Sequence, residues 1–234
     1  MTRRDGPRLG LGAIAAVMGV IAFVIVSLLF GFTVVSTQEE AALTDEFDPV
    51  TYAEESWDAV QTAIREEAVP LADVLGRIEP GADGRIGTEA LTPIAEDLGL
   101  ITTGQAHVYR VSGTGTVSDV DTETSRGSIG LDVEGYEGPI KVRAWIGSRL
   151  PSDESSVRDA SGFIEFGAFR DQTEFGQVAR ELNNKAVEGL AGLDLESLTG
   201  KSVDFIGAFT LRTFNQPSID VSEIVLVPIE VTER

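Results

Sequence analysis

Residues 9–38 contain no charged side chain, and this thirty-residue run follows a leader that carries Arg3, Arg4 and Arg8. About 20 apolar residues already cross the hydrocarbon core of a bilayer as a helix. The apolar region of a secretory signal spans only about 7–15 residues and ends at a small-residue cleavage site, so the longer run reads as a retained transmembrane anchor over residues 9–35. The arginines hold the leader, residues 1–8, on the cytoplasmic side. A single-pass cell-membrane protein is expected, with a stalk over residues 36–46 and a folded part beyond it, periplasmic or at the cell surface. That part has room for one domain of ordinary size with a sizeable core.

Charge and composition narrow the function. The chain carries −20, of which the leader contributes +2, so −22 resides on the exported part. Such a field repels phosphate backbones, and nucleic acid is not an expected partner. There is no cysteine. Disulfides, thiolate metal ligands, cysteine nucleophiles and a lipid-acceptor cysteine are all removed together. His107 is the sole histidine, so neither a catalytic triad nor a multi-histidine metal site can be assembled, and its expected role is structural. The chain has no nucleophile elbow, phosphate loop or dinucleotide fingerprint. No cofactor is called for, and no catalytic residue is assigned.

Periodicity outlines the exported part. Asp48-Pro49 supplies an N-cap and a proline at the first helical position, and Ala53, Trp57, Val60, Ile64 and Ala68 form one apolar stripe. Shorter helices are predicted over residues 70–78 and 88–98. From residue 105 the period changes to two. Tyr109, Val111, Gly113, Gly115 and Val117 share one face of a first strand, whose two glycines permit a sharp bend. Ile129, Leu131 and Val133 mark a second strand, and Ile140, Val142, Ala144 and Ile146 a third. After a polar loop over residues 148–161, Asp171 and Glu174 have capping-box spacing ahead of a helix with Phe175, Val178, Ala179, Leu182 and Ala186 on its apolar face. A strand from Ser202 and a last one over residues 224–231 complete the chain, with Pro228 requiring an edge or a bulge.

Three strands, a helix and two strands, the first strand bent at glycine, is the order of an OB-fold β-barrel. The expected fold class is mainly β, an OB-like barrel over residues 105–234 with a helix between its third and fourth strands. A helical segment, residues 47–104, packs on it. Period-two patterns alone also allow another small barrel or sandwich.

Two stretches resemble a known family. Arg158-Asp159-Ala160, Phe163-Ile164, Phe166, Phe169, Gln172, Glu174-Phe175, Val178-Ala179 and Leu182-Asn183 form one, and Leu198-Thr199-Gly200-Lys201, Val203, Phe205 and Gly207-Ala208-Phe209 the other. Both resemble the predicted periplasmic lipoproteins of domain-of-unknown-function family 2291, over the whole exported part from Phe47. The resemblance implies an OB-like fold and genes lying beside sugar ABC-transporter genes, with no established activity or site residues. Family members commonly have a lipobox cysteine; this chain has none, so a helix replaces the lipid.

Candidate sites follow from the strands. Lys141, Arg143 and Trp145 share the polar face of the third strand, beside the usual ligand-binding face of OB folds, where Trp145 can stack a sugar ring while Arg143 holds hydroxyl or carboxylate oxygens. The alternative is an N-terminal helix covering this face, with Trp145 packed on Trp57 or Tyr52. Asp132, Glu134 and Glu137, on or beside the turn between the second and third strands, are a calcium candidate, with a solvated turn as the plainer reading. Arg158–Asp159 is expected to be a partly buried ion pair, and Phe163, Phe166 and Phe169 to be core and barrel plug. The leading functional expectation is a non-enzymatic, membrane-anchored accessory to a carbohydrate ABC uptake system. The alternatives are a binding module for a small sugar or sugar acid, and a carboxylate-dependent hydrolase.

Overall fold

Asp48 opens the first helix as its sequence context requires. In the computed structural model, which describes residues 47–123 and 125–234, one oxygen of its carboxylate accepts from the Val50 amide at 3.0 Å and the other from the Thr51 hydroxyl at 2.6 Å. The leader, the anchor over residues 9–35 and the stalk lie outside the described residues. Among the described residues no helix is long and apolar enough to cross a membrane.

In chain order the elements are α1 (Pro49–Glu66), β1 (Val69–Pro70), α2 (Leu71–Arg77), β2 (Arg85–Gly87), α3 (Thr88–Leu98), β3 (Leu100–Ile101), β4 (His107–Asp121), β5 (Ser128–Val133), β6 (Lys141–Trp145), α4 (Ser156–Ala160), α5 (Gln172–Glu188), β7 (Ser202–Leu211), β8 (Ser218–Asp220) and β9 (Glu223–Glu233). The longer elements are those that periodicity outlines. The strands of two or three residues and α4, which interrupts the expected polar loop, are too short to show a period.

The sheet is mixed. β5 runs antiparallel to β4, β6 antiparallel to β5, β9 parallel to β6, and β7 antiparallel to β9. β4 then pairs with β7 from His107↔Leu211 to Thr116↔Ser202, so the path of pairings returns to its start. Besides the short β1 and β3, which pair with its first half, β4 has two long partners, β7 up to Thr116 and β5 from Gly115 onward. Gly113 and Gly115 sit where the strand changes partner. A Cβ on Gly113 would stand 2.8 Å from Cζ of Phe205, the residue directly opposite, and one on Gly115 would stand 3.1 Å from the Asp132 carbonyl. Both glycines therefore stand where a neighbour approaches closely, and the strand continues through them in unbroken register with β7. Pro228 lies opposite Gly207 beside a register shift, at the point where β9 has left β6 for β7, which is the bulge its missing N–H requires.

Two apolar layers hold the unit Asp48–Arg234 together. The first gathers Tyr109, Val111, Val117, Ile129, Val142, Phe205, Phe209 and Leu226 from the sheet, with Leu71, Leu75 and Leu91 from α2 and α3. The second joins α1, α4 and α5 to the other side of β4, β7 and β9 through Ala53, Val60, Ile64, Val157, Leu182, Val108, Ala208 and Ile229, all buried. The first half of β4 is consequently buried on both faces, so its polar parity holds the buried Arg110 in place of solvent-facing residues. Arg110 donates from Nε to the Ala160 carbonyl at 2.5 Å and pairs with Glu67.

At the head of β4, His107 is buried, and desolvation holds its pKa below the usual histidine value, which keeps it neutral. Tyr109 stacks on Phe209 with centroids 4.8 Å apart, and burial pushes its phenol far above the ordinary range. Its hydroxyl has no hydrogen-bond partner among the described residues. An unsatisfied buried hydroxyl costs about 1–3 kcal/mol, so Tyr109→Phe is expected to leave stability unchanged or raise it by about 1 kcal/mol. A urea unfolding midpoint for the variant checks this; a fall of similar size would show that the hydroxyl is satisfied.

Candidate functional site

Strands β4, β5 and β6 carry a polar cleft of about 600 Å³ on their outer side. Its walls are Ser118 and Asp119 from β4, Gly130 to Val133 from β5, the turn from Tyr136 to Ile140, Lys141 to Arg143 from β6, and Glu223. The register explains how its central contact arises. Asp119 and Arg143 are both direct neighbours of Gly130, one on each side of β5. A Cβ on Gly130 would collide with the Asp119 carboxylate. Glycine therefore lets the two side chains meet across the middle strand. Arg143 donates to both oxygens of Asp119, at 2.7 and 3.2 Å, and from Nε to the Ser128 hydroxyl at 3.0 Å. The guanidinium holds the Asp119 carboxyl below the usual carboxylate range, and Asp119 in turn raises the pKa of Arg143.

The other expected residues divide. Lys141 lines the cleft and has no ion pair among the described residues. Trp145 lies opposite Ser128, one step further along the same face of β6; it is half-buried and outside the cleft. The strip of Lys141, Arg143 and Trp145 is thus split, with the indole removed from the two cations. The covering alternative is not what forms, because α1 packs on α5, α4 and β7, and Tyr52 meets Phe169 at 5.4 Å. Asp132 and Glu137 border the cleft and Glu134 does not. Among the described residues no three acidic or histidine side chains are grouped to hold a metal ion. Asp119, Gly130, Tyr136 and Glu223 were not foreseen. The available signal was Gly130 itself, a glycine in a strand whose neighbours alternate cleanly.

Further along the chain, the Arg158–Asp159 pair forms as expected, at 2.6 Å with both side chains largely buried. Arg158 also donates to the Phe175 carbonyl at 2.9 Å, and its guanidinium carbon stands 3.5 Å from the centre of the Phe175 ring. The capping box is modified. Asp171 accepts from the Thr173 and Glu174 amides, whereas Glu174 reaches back one residue further than expected, to the Arg170 amide at 2.9 Å. The phenylalanines depart from expectation. Phe163 and Phe166 are half-exposed and are not core; Phe166 instead packs edge-on against Phe175 at 5.6 Å, and Phe169 packs on it at a tilt at 5.4 Å. The core they were expected to fill is already closed by Leu190, Leu198 and the residues of α2 and α3.

A mixed sheet with this pairing order is that of an OB-fold protein, and comparison with solved structures agrees. An OB-fold protein from Thermotoga maritima superposes with a TM-score of 0.58 at 20% identity, over 81% of this chain and 100% of its own. The model of the predicted periplasmic lipoprotein family (DUF2291) matches residues 22–232, and the chain belongs to that family. No curated protein matches it.

The Asp119–Arg143 pair has a defined pH signature. A carboxyl whose pKa is lower in the folded than in the unfolded state stabilises the fold above its unfolded value, near 3.9, and loses that contribution as pH falls through the folded value. The stability difference between the wild type and Asp119→Asn is therefore expected to be constant from neutral pH down to about pH 5 and to shrink below that. Chemical denaturation across pH reads it. Gly130→Ala is expected to show the same loss at neutral pH, because its methyl group displaces the carboxylate.

Proposed function

We propose that this chain is a non-enzymatic, extracytoplasmic binding protein, held at the membrane by the charge-free run over residues 9–38 and serving a carbohydrate ABC uptake system as an accessory. Its closed path of strands is read as an OB barrel, and its ligand as a sugar seated in the cleft of Asp119, Lys141 and Arg143. The observation that carries this reading is the bidentate ion pair at the centre of that cleft. A guanidinium offers donors and a carboxylate offers acceptors side by side, which matches the alternating donor and acceptor needs of neighbouring sugar hydroxyls. Lys141 adds a further donor. The uptake link rests on the family resemblance and the anchor on the sequence.

Binding is favoured over hydrolysis by the carboxyls. Asp48, Asp119, Asp153, Asp171 and Asp220 are all moved below the ordinary range, each by hydrogen bonds that stabilise the ionised form. A glycosidase general acid needs the opposite displacement.

The test is thermal unfolding of the full chain in detergent against pentoses, hexoses, uronic acids and calcium. A ligand at about 100 times its dissociation constant adds about 2.7 kcal/mol, enough to raise the midpoint by a few degrees. One sugar is expected to produce that shift, and Arg143→Ala to abolish it while remaining folded. A response to calcium alone, or a flat panel, would overturn the sugar reading. Unchanged sugar uptake after gene deletion would overturn the accessory role.

A further inference from the structure

Three segments that are remote in sequence meet on one surface of the domain. Residues 99–108 and 158–169 line a second cleft of about 480 Å³, through Leu100, Ile101 and Gly104 on one side and Gly162, Ile164 and Phe166 on the other, with the largely buried Arg158–Asp159 pair in its wall. The third segment, residues 213–219, joins them where the Thr213 hydroxyl donates to the Gln105 carbonyl. These segments hold three charged residues, Glu165 and the Arg158–Asp159 pair, among twenty-nine, where the chain's 24% would give about seven. They also hold four of the five large apolar side chains that are exposed among the described residues: Ile101 (39%), Phe163 (49%), Phe166 (50%) and Phe214 (60%). Single exposed apolar residues are ordinary on any surface, but their concentration on one charge-poor face of a strongly acidic domain marks a contact surface.

We propose that this face seats on the lipid bilayer, with Phe163, Phe166 and Phe214 entering the headgroup boundary. The inference rests on the membrane-tether reading above. Where the chain enters the domain argues for lipid over another occupant. Only residues 39–48 separate the end of the charge-free run from the first residue of α1, and ten residues span at most about 36 Å. Tyr52, one turn into α1, contacts Phe169, which contacts Phe175, which contacts Phe166 at the rim of the second cleft. The tether thus enters the domain beside the apolar face. Val50, the fifth exposed apolar side chain, lies at this same entry point. The charges of this face are few: Glu165, the Arg158–Asp159 pair, which is largely buried and neutralises itself, and Arg170 and Arg212 at its edges. It therefore loses little solvation against a zwitterionic headgroup layer, and phenylalanine is favoured at such a boundary. The acidic remainder of the domain stays in water.

The full chain is reconstituted into phosphatidylcholine vesicles with and without bromine on the acyl chains, as Phe166→Trp, Phe214→Trp and Glu123→Trp, the last in the turn at the other end of β4. Emission is read above the background of Trp57 and Trp145, with vesicle flotation measured alongside. The indoles at positions 166 and 214 are expected to lose emission in brominated vesicles and to be blue-shifted, and that at 123 to be unaffected. Protein that floats with the vesicles while indoles 166 and 214 emit equally in both lipids overturns the lipid-seating proposal and leaves the tether intact, whether solvent, a second copy or a partner protein meets the face. Protein that does not float overturns the tether reading, and this proposal with it.

Discussion

β4 belongs to two long strand pairs at once, and the rest of the molecule depends on how it manages that. A strand that pairs with β7 over its first ten residues and with β5 over its last seven is held by both partners at Gly115 and Thr116. Gly113 and Gly115 make the double pairing possible, because Phe205 and the Asp132 backbone occupy the space that side chains there would need. Closure of the pairing path follows, and with it one side of the sheet dry enough to bury Tyr109, Phe205 and Phe209 together. The other side of the same strand receives α1, α4 and α5. Arg110 is therefore buried in a position that alternation alone would give to solvent.

The same economy of glycine builds the candidate site. Gly130 stands between Asp119 and Arg143 in the register, and the missing side chain creates a passage across β5 for a bidentate ion pair. The pair is partly open to water, with 22% of the Arg143 side chain and 54% of Asp119 exposed, so its worth to folding is modest and screened. Its fixed geometry matters more for recognition. The Arg158 pair is the contrasting case. With Asp159, Phe175 and the helix backbone occupying it from several sides, it ties the segment between α4 and α5 into place and presents Phe163 and Phe166 outward.

Half of the cleft was legible in the strand pattern. Lys141 and Arg143 share a parity, and parity is a local property that survives folding. Trp145 shares it too, yet it is excluded, since the cleft ends where β5 and β6 lose their neighbours from the 134–140 turn. Asp119 was invisible because nothing local distinguishes it from the many other acids; only the register β4↔β5↔β6 sets it opposite Arg143. The phenylalanines misled for a related reason. Apolar residues are expected inside, but how much interior remains depends on what else fills it, and α2, α3, Leu190 and Leu198 had already done so.

By itself the sequence determined the charge-free run at the N-terminus, the first strand with its two glycines, the succession of long strands and helices, the capped starts of α1 and α5, and the family. All of these are written in spacing, charge or motif over a few turns of chain. Tertiary structure alone decided which strands became neighbours, that β4 was covered on both sides, that Asp119 met Arg143, and that three charge-poor loops came together on one face. Those outcomes depend on contacts between residues tens to more than a hundred positions apart, and no local period encodes which distant partner a strand or loop will find.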